Sequence, residues 1–152
     1  GIPFCPVSGR QLTSLRRLFQ PLSSQMYLIC ENGAAIFGPG EPPPLLRTAI
    51  MDRAACLELS RQILAVPDFE LIISGADTTY LCPKRPDMEE YIRDQLGNHT
   101  RVVTAPEEIP EGFLKISAYC RSGGRAAEER LAPAWRGRFR VAVAGRNWLD
   151  LR

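Results

Sequence analysis

Ser8-Gly9-Arg10 follows a short apolar run at 2–7 and precedes a helical stripe at Leu12, Leu15, Leu18 and Phe19. A hydroxyl residue at the C-terminal end of a buried parallel strand stands where doubly wound sheets bind ligands. Gly9 lets a bound group come close to the backbone, and the helix that follows opens with free N–H groups and a positive dipole end. Together these residues could make a phosphate seat. The plainer alternative is that Ser8 only caps the helix.

Other residues could contribute. Asn32-Gly33 is a strong turn signal. Asp77 and Thr78 fall on a hairpin-type turn and could offer polar groups, or could be a hydrophilic turn and nothing more. Lys115 lies inside a strand-like run and could point at an anionic ligand, against the alternative of a surface lysine with its stem laid along the protein. His99, the only histidine, has no acid–base partner nearby in sequence and reads as a surface residue. Glu107, Glu108 and Glu111 sit among prolines and read as a solvated loop rather than a metal site. Trp135 and Trp148 read as packing residues, with Trp148 open to a second role near the closing turn.

Composition bounds what these residues can be part of. The 152 residues are 45% apolar and 24% charged, as in an ordinary globular domain, which excludes collagen-like, disordered and disulfide-scaffold classes. No apolar run approaches the roughly 20 residues of a membrane helix, so no membrane partner is expected. Nineteen bases against 17 acids give +2, which does not call for nucleic acid. The Arg-rich stretch 121–152 lacks aromatics at stacking spacing, so RNA is not expected either. Five cysteines stand at least 25 residues apart with no C-x-x-C pair. That pattern argues against a metal site or disulfides and for free thiols in a reducing compartment, hence a cytoplasmic protein.

The elements that must position the candidates come from periodicity. Residues 2–7, 11–19 and 26–30 read as strand, helix and strand, half of a doubly wound sheet with a right-handed crossover. Strands are expected at 34–37 and 45–50, around the Pro-rich loop 38–44. Asp52 is a plausible N-cap for a helix to about residue 66. Strands at 69–74 and 78–82 flank a turn. Next come a helix from Asp87 to 96, a strand at 101–104, a strand at 113–119 and a helix from 124 to about 131, ending near Pro133. A hairpin of 139–143 and 148–151 closes the chain. In the 113–119 strand Leu114, Ile116 and Ala118 share one face, and Lys115, Ser117 and Tyr119 the other.

GIPFCPVSGR, an amphipathic helix and then MYLICENGAAIF resemble the second motif region of the haloacid dehalogenase superfamily, in its Cof-type sugar-phosphatase branch. Residues 73–80, 114–116 and 147–151 resemble that branch's cap. The resemblance implies an α/β fold: a partial Rossmann-like core at 1–38 and 144–152, and an α+β cap with a mostly antiparallel sheet at 39–143. It implies that Ser8 hydrogen-bonds the transferring phosphoryl group, joined by the Gly9 N–H, with Arg10 near the phosphate or bracing the turn. Asn32 and Gly33 would lie near the substrate at the core–cap crossing, and Asp77, Thr78 and Lys115 would face it from the cap.

Departures from the family pattern set limits. No Asp precedes Asp52, so the D-x-D nucleophile motif is missing, and the catalytic lysine and magnesium-binding aspartates would fall beyond Arg152. The chain opens Gly1-Ile2-Pro3 and stops in a strand-like run, so both ends read as cut. The resemblance therefore implies a segment of a Mg²⁺-dependent phosphatase, inactive alone and holding no metal itself. The full-length parent would hydrolyse a small phosphorylated metabolite through an aspartyl-phosphate. The competing expectation is a non-catalytic binding module with a cap-like fold. Apolar edges at 2–7 and 26–30 could also drive pairing between copies.

Overall fold

The computed structural model describes residues 4–152; Ile2 and Pro3 of the expected first strand lie outside them. The described part of that strand is reduced to a single parallel bridge, Val7 with Ile29, held by Ile29 N–H to Pro6 O (3.0 Å) and Ser8 N–H to Ile29 O (2.9 Å). α1 (Leu12–Leu18) connects this bridge to β1 (Leu28–Cys30). β1, β2 (Ala35–Phe37) and β3 (Leu45–Thr48) form an antiparallel sheet in that order. Leu12 and Leu15 of α1 pack on Leu28, Cys30 and Phe37, a small core completed by Leu114, which lies outside any strand and apart from the Ile116 and Ala118 cluster it was expected to share a face with.

The remaining strands make one six-stranded sheet. In chain order the elements are α2 (Arg53–Leu64), β4 (Phe69–Ser74), β5 (Thr79–Leu81), α3 (Pro86–Glu90) continuing into a π-helical turn (Tyr91–Gln95), β6 (Thr100–Val102), β7 (Lys115–Cys120), α4 (Gly124–Trp135), β8 (Val141–Val143) and β9 (Trp148–Leu151). The sheet order is β6-β5-β4-β7-β9-β8, antiparallel except for the parallel pair β5–β6. The fold is thus α/β, with a strand–helix–strand unit joined to a mostly antiparallel α+β layer. Hydrogen bonds group β3 with β2, and β9 with β7 and β8.

Strand alternation gives this sheet two unlike faces. One carries Leu71, Ile73, Ile116, Ala118, Leu149 and Leu151 and is covered by α2 and α4. Full burial of each such Leu or Ile stabilises by about 1.5–3 kcal/mol, so this face holds the sheet together. Asp52 caps α2 as expected, accepting from Ala55 N–H at 2.8 Å. α4 corrects an expectation: it runs through Pro133 to Trp135 rather than stopping there. The lost hydrogen bond and ring clash are offset because Trp135 is fully buried, stacks on Phe139 (5.6 Å, 8°) and donates Nε1–H to Gln62 Oε1 (2.8 Å).

The other face carries Ile72, Ser74, Lys115, Ser117, Tyr119, Trp148 and Asp150 in alternation with those core residues. Among the described residues α3 and its π-turn cover it, through Met88 and Ile92 on Ile72 and Leu81. α1 lies alongside, tied on by Gln11, whose amide donates to His99 O (2.7 Å) and accepts from His99 N–H (2.8 Å), and by Ser14 Oγ–H to Leu96 O (2.7 Å). Between α1 and α3 a cavity is left over the sheet.

Candidate functional site

That cavity, about 480 Å³, is where the sequence-derived candidates converge. Ser8, Gly9, Arg10, Asn32 and Lys115 line it. Gly33, Asp77 and Thr78 lie off its wall: Asp77 Oδ1 accepts from Thr13 (3.3 Å), and Thr78 Oγ1 stands 3.3 Å from the exposed His99 ring.

Two loops make the polar end. Asn32 N–H donates to Ser8 O (2.9 Å) and Glu31 N–H to Arg10 O (3.1 Å), so turns 8–10 and 31–33 are laced side by side. Glu31, Asn32 and Gly33 all have positive φ (49°, 58° and 95°). Asn and Gly accept that region readily, while Glu31 is held in it at a cost of about 1–3 kcal/mol. Ser8 is not the helix cap; Gln11 occupies that position without a side-chain bond. Ser8 Oγ instead accepts from Arg10 N–H (3.1 Å), closing the turn and leaving its hydroxyl proton to donate. The Arg10 guanidinium braces α1 through Ser14 Oγ (2.9 Å).

The floor comes from β7 and β9. Lys115 is buried rather than a surface lysine: its ammonium lies 2.7 Å from Glu31 Oε2 and 3.7 Å from Asp150 Oδ2 and donates to Gly9 O at 3.0 Å. Burial works against the Lys115 charge, but Glu31 and Asp150 outweigh it and hold its pKa above the ordinary lysine value. Burial is also the largest influence on Glu31, raising its pKa against the pull of Lys115. Asp150 accepts from Ser117 Oγ–H (2.7 Å) and from Asn32 Nδ2–H (3.1 Å). One cation is therefore shared by two carboxylates, and an anion entering the cavity would meet Ser8, the turn N–H groups and Arg10 before a free ammonium.

Glu31 and Asp150 are not among the site residues expected from sequence. Asp150 alternates with Leu149 and Leu151, a period-2 signal that places it on the Lys115 face; Glu31 carries only its position before the Asn-Gly turn. The glutamate loop is more than a solvated one. Glu111 accepts from Tyr80 Oη–H (2.6 Å) and Ala76 N–H (2.9 Å), and Glu108 from Thr104 N–H (3.1 Å), so both are structural acceptors. For Mg²⁺, no three His, Cys, Asp or Glu side chains among the described residues come together. Glu31 and Asp150 are committed to Lys115, Ser117 and Asn32. The residues present do not fit a magnesium site. No helix among the described residues is long and apolar enough to cross a membrane.

The family model for haloacid dehalogenase-like hydrolases matches residues 1–128. No curated protein matches. Among solved structures the chain is similar to a protein of Eubacterium rectale (TM-score 0.79, 23% identity, covering 100% of this chain and 57% of that one). It is also similar to a haloacid dehalogenase-like hydrolase of Bacillus subtilis (TM-score 0.77, 13% identity, 99% and 61%). A third is a sugar phosphatase of haloacid dehalogenase subclass IIB (TM-score 0.73, 13% identity, 99% and 56%). The chain thus spans a little over half the length of each.

Proposed function

The chain belongs to the haloacid dehalogenase-like hydrolase family, and on that premise we propose that its full-length protein hydrolyses a small phosphomonoester with Mg²⁺. In this reading the present residues supply the phosphoryl contact and the substrate cover. The attacking aspartate and the magnesium site belong to residues outside the 152. Mg²⁺, when bound there, would offset charge on the phosphoryl oxygens.

The observation that carries the reading is the Ser8-Gly9 turn at a parallel crossover, laced to Asn32 and opening into a cavity floored by the six-stranded sheet. Ser8 Oγ–H and the Gly9 N–H would hold two phosphoryl oxygens, and Arg10 would stand at the rim. Lys115 acts on Gly9 O and on Glu31, which makes it a positioning residue for the turn. Asp77 and Thr78 would meet only a large substrate, from outside the cavity. In this reading residues 1–38 and 144–152 belong to the core and residues 39–143 to the cap.

The test is an assay of the full-length gene product on 4-nitrophenyl phosphate and on sugar phosphates with Mg²⁺. Expected results are turnover that chelation abolishes and a loss of about 10²-fold in kcat/KM for Ser8→Ala, the size of one lost transition-state donor. The 152-residue chain alone should show none. Absence of any phosphatase activity in the full-length protein, or full activity of Ser8→Ala, would sink the proposal.

A further inference from the structure

The cavity has two unlike ends. From the polar end, β4 and β9 each continue two residues along the same face, from Ser74 to Ile72 and from Asp150 to Trp148. At about 3.3 Å rise per residue, an apolar wall runs from Ile72, about 7 Å along its strand from Ser74 and level with Ser117, to Trp148, about 7 Å along its strand from Asp150. Ile72, Ile92, Leu96 and Trp148 line it. Trp148 is held in place by Tyr119 (5.1 Å, edge-on) and Tyr91 (6.3 Å, 25°).

Several polar side chains near this end are already engaged. Both ends of the Gln11 amide serve the His99 backbone. Ser14 Oγ donates to Leu96 O and accepts from Arg10. Asn98 Nδ2–H donates to Thr79 Oγ1 at 3.1 Å. A polyol placed here would exchange its water hydrogen bonds for few protein ones, a costly trade for a buried hydroxyl. A flat apolar ring would lose nothing.

We infer that the cavity takes a phosphomonoester whose alcohol part carries an aromatic or similarly apolar ring, stacked at Trp148, rather than a polyhydroxylated sugar. This rests on the phosphate seat proposed for Ser8 and Gly9 and adds the ring subsite to it.

Binding to the 152-residue chain tests it, by titration with inorganic phosphate, phenyl phosphate and glucose 6-phosphate followed by calorimetry. Phenyl phosphate should bind about tenfold more tightly than glucose 6-phosphate, in line with one aromatic contact. Trp148→Ala should bring the two esters within about twofold, and Leu96→Asn, at a half-buried position, should shrink the same ratio. If inorganic phosphate and both esters bind equally well, the ring subsite is wrong while the phosphate seat stands. If none of the three binds, the seat fails and the ring subsite with it. An undiminished preference in folded Trp148→Ala overturns the role of Trp148.

Discussion

The Lys115 ammonium lies 2.7 Å from the Glu31 carboxylate, joining β7 of the large sheet to the turn after β1 through a pair of side chains that are 9% and 2% exposed. Neither charge can be left alone at that depth. Lys115→Met should therefore destabilise the protein by about 3–5 kcal/mol, the usual consequence of breaking a buried pair from one side. Adding Glu31→Gln should restore a good part of it, because the stranded carboxylate is gone. The pH dependence has a definite sign. Glu31 has its folded pKa raised, so its contribution is most favourable below the ordinary carboxylate pKa and declines as pH rises through the raised value. Without Lys115 that value rises further. The Lys115→Met deficit should thus be smaller at pH 5 than at pH 8, as read from urea unfolding. An equal deficit at both would contradict the pairing.

Tyr80 reports on the glutamate loop. Its phenol is pushed up to about 12, first by burial and next by the hydrogen bond to Glu111. Glu111→Ala should bring the Tyr80 titration down only part of the way to 10, since burial remains. Absorbance at alkaline pH, with Tyr80→Phe to identify the transition, checks this. A full return to the ordinary value would make Glu111 the dominant influence and burial the minor one.

Much of this is legible in the sequence because period-2 alternation has one physical origin. Lys115, Ser117 and Tyr119 fall on one face of β7, and Ile116 and Ala118 on the other, because only that register buries the apolar set under α2 and α4. Asp52 announces α2 for an equally local reason. What stays hidden depends on contacts distant in the chain. Lys115 looks like a surface residue because its carboxylates, Glu31 and Asp150, are 84 and 35 positions away. Pro133 misleads because local chemistry favours a stop there, whereas the burial of Trp135 two residues later is a tertiary effect. The cavity residues Ile92 and Trp148 come together only through the packing of the π-helical turn after α3 against the sheet.

The thiols should fall into two kinetic classes. Burial pushes Cys30 and Cys56 up to about 12 and half-buried Cys82 up to about 11, with carboxylates near each adding to it. Cys120 is buried, raised in pKa, and directed at Asp68 Oδ2 (3.3 Å). Cys5 is exposed. A disulfide reagent at pH 8 should modify one thiol rapidly in the native protein and the rest only on unfolding, since the thiolate is the reactive form. Cys5→Ser should abolish the fast phase. A fast phase that survives the substitution would show that one of the inner thiols opens to solvent.

Gly9 is required by space rather than by backbone angle. A Cβ there would stand 2.9 Å from Asn32 Oδ1 and 3.4 Å from its Cγ. Asn32 cannot step aside freely, because its N–H is bonded to Ser8 O at 2.9 Å and its Nδ2 to Asp150 Oδ2 at 3.1 Å. Gly9→Ala must therefore break the Asn32–Asp150 bond or part the two laced turns, and should cost about 1–3 kcal/mol, the range for overpacking. Gly137→Ala makes the control: nothing lies within 4 Å of its added Cβ, and it should change stability by no more than about 0.5 kcal/mol. The decisive measurement is a cycle with Asn32→Ala. Once the amide is removed, the added methyl has room, so Gly9→Ala in that background should cost little. A penalty that persists undiminished would mean the glycine answers to something other than Asn32, and the close packing of the two turns would no longer explain why a glycine stands at the proposed phosphate seat.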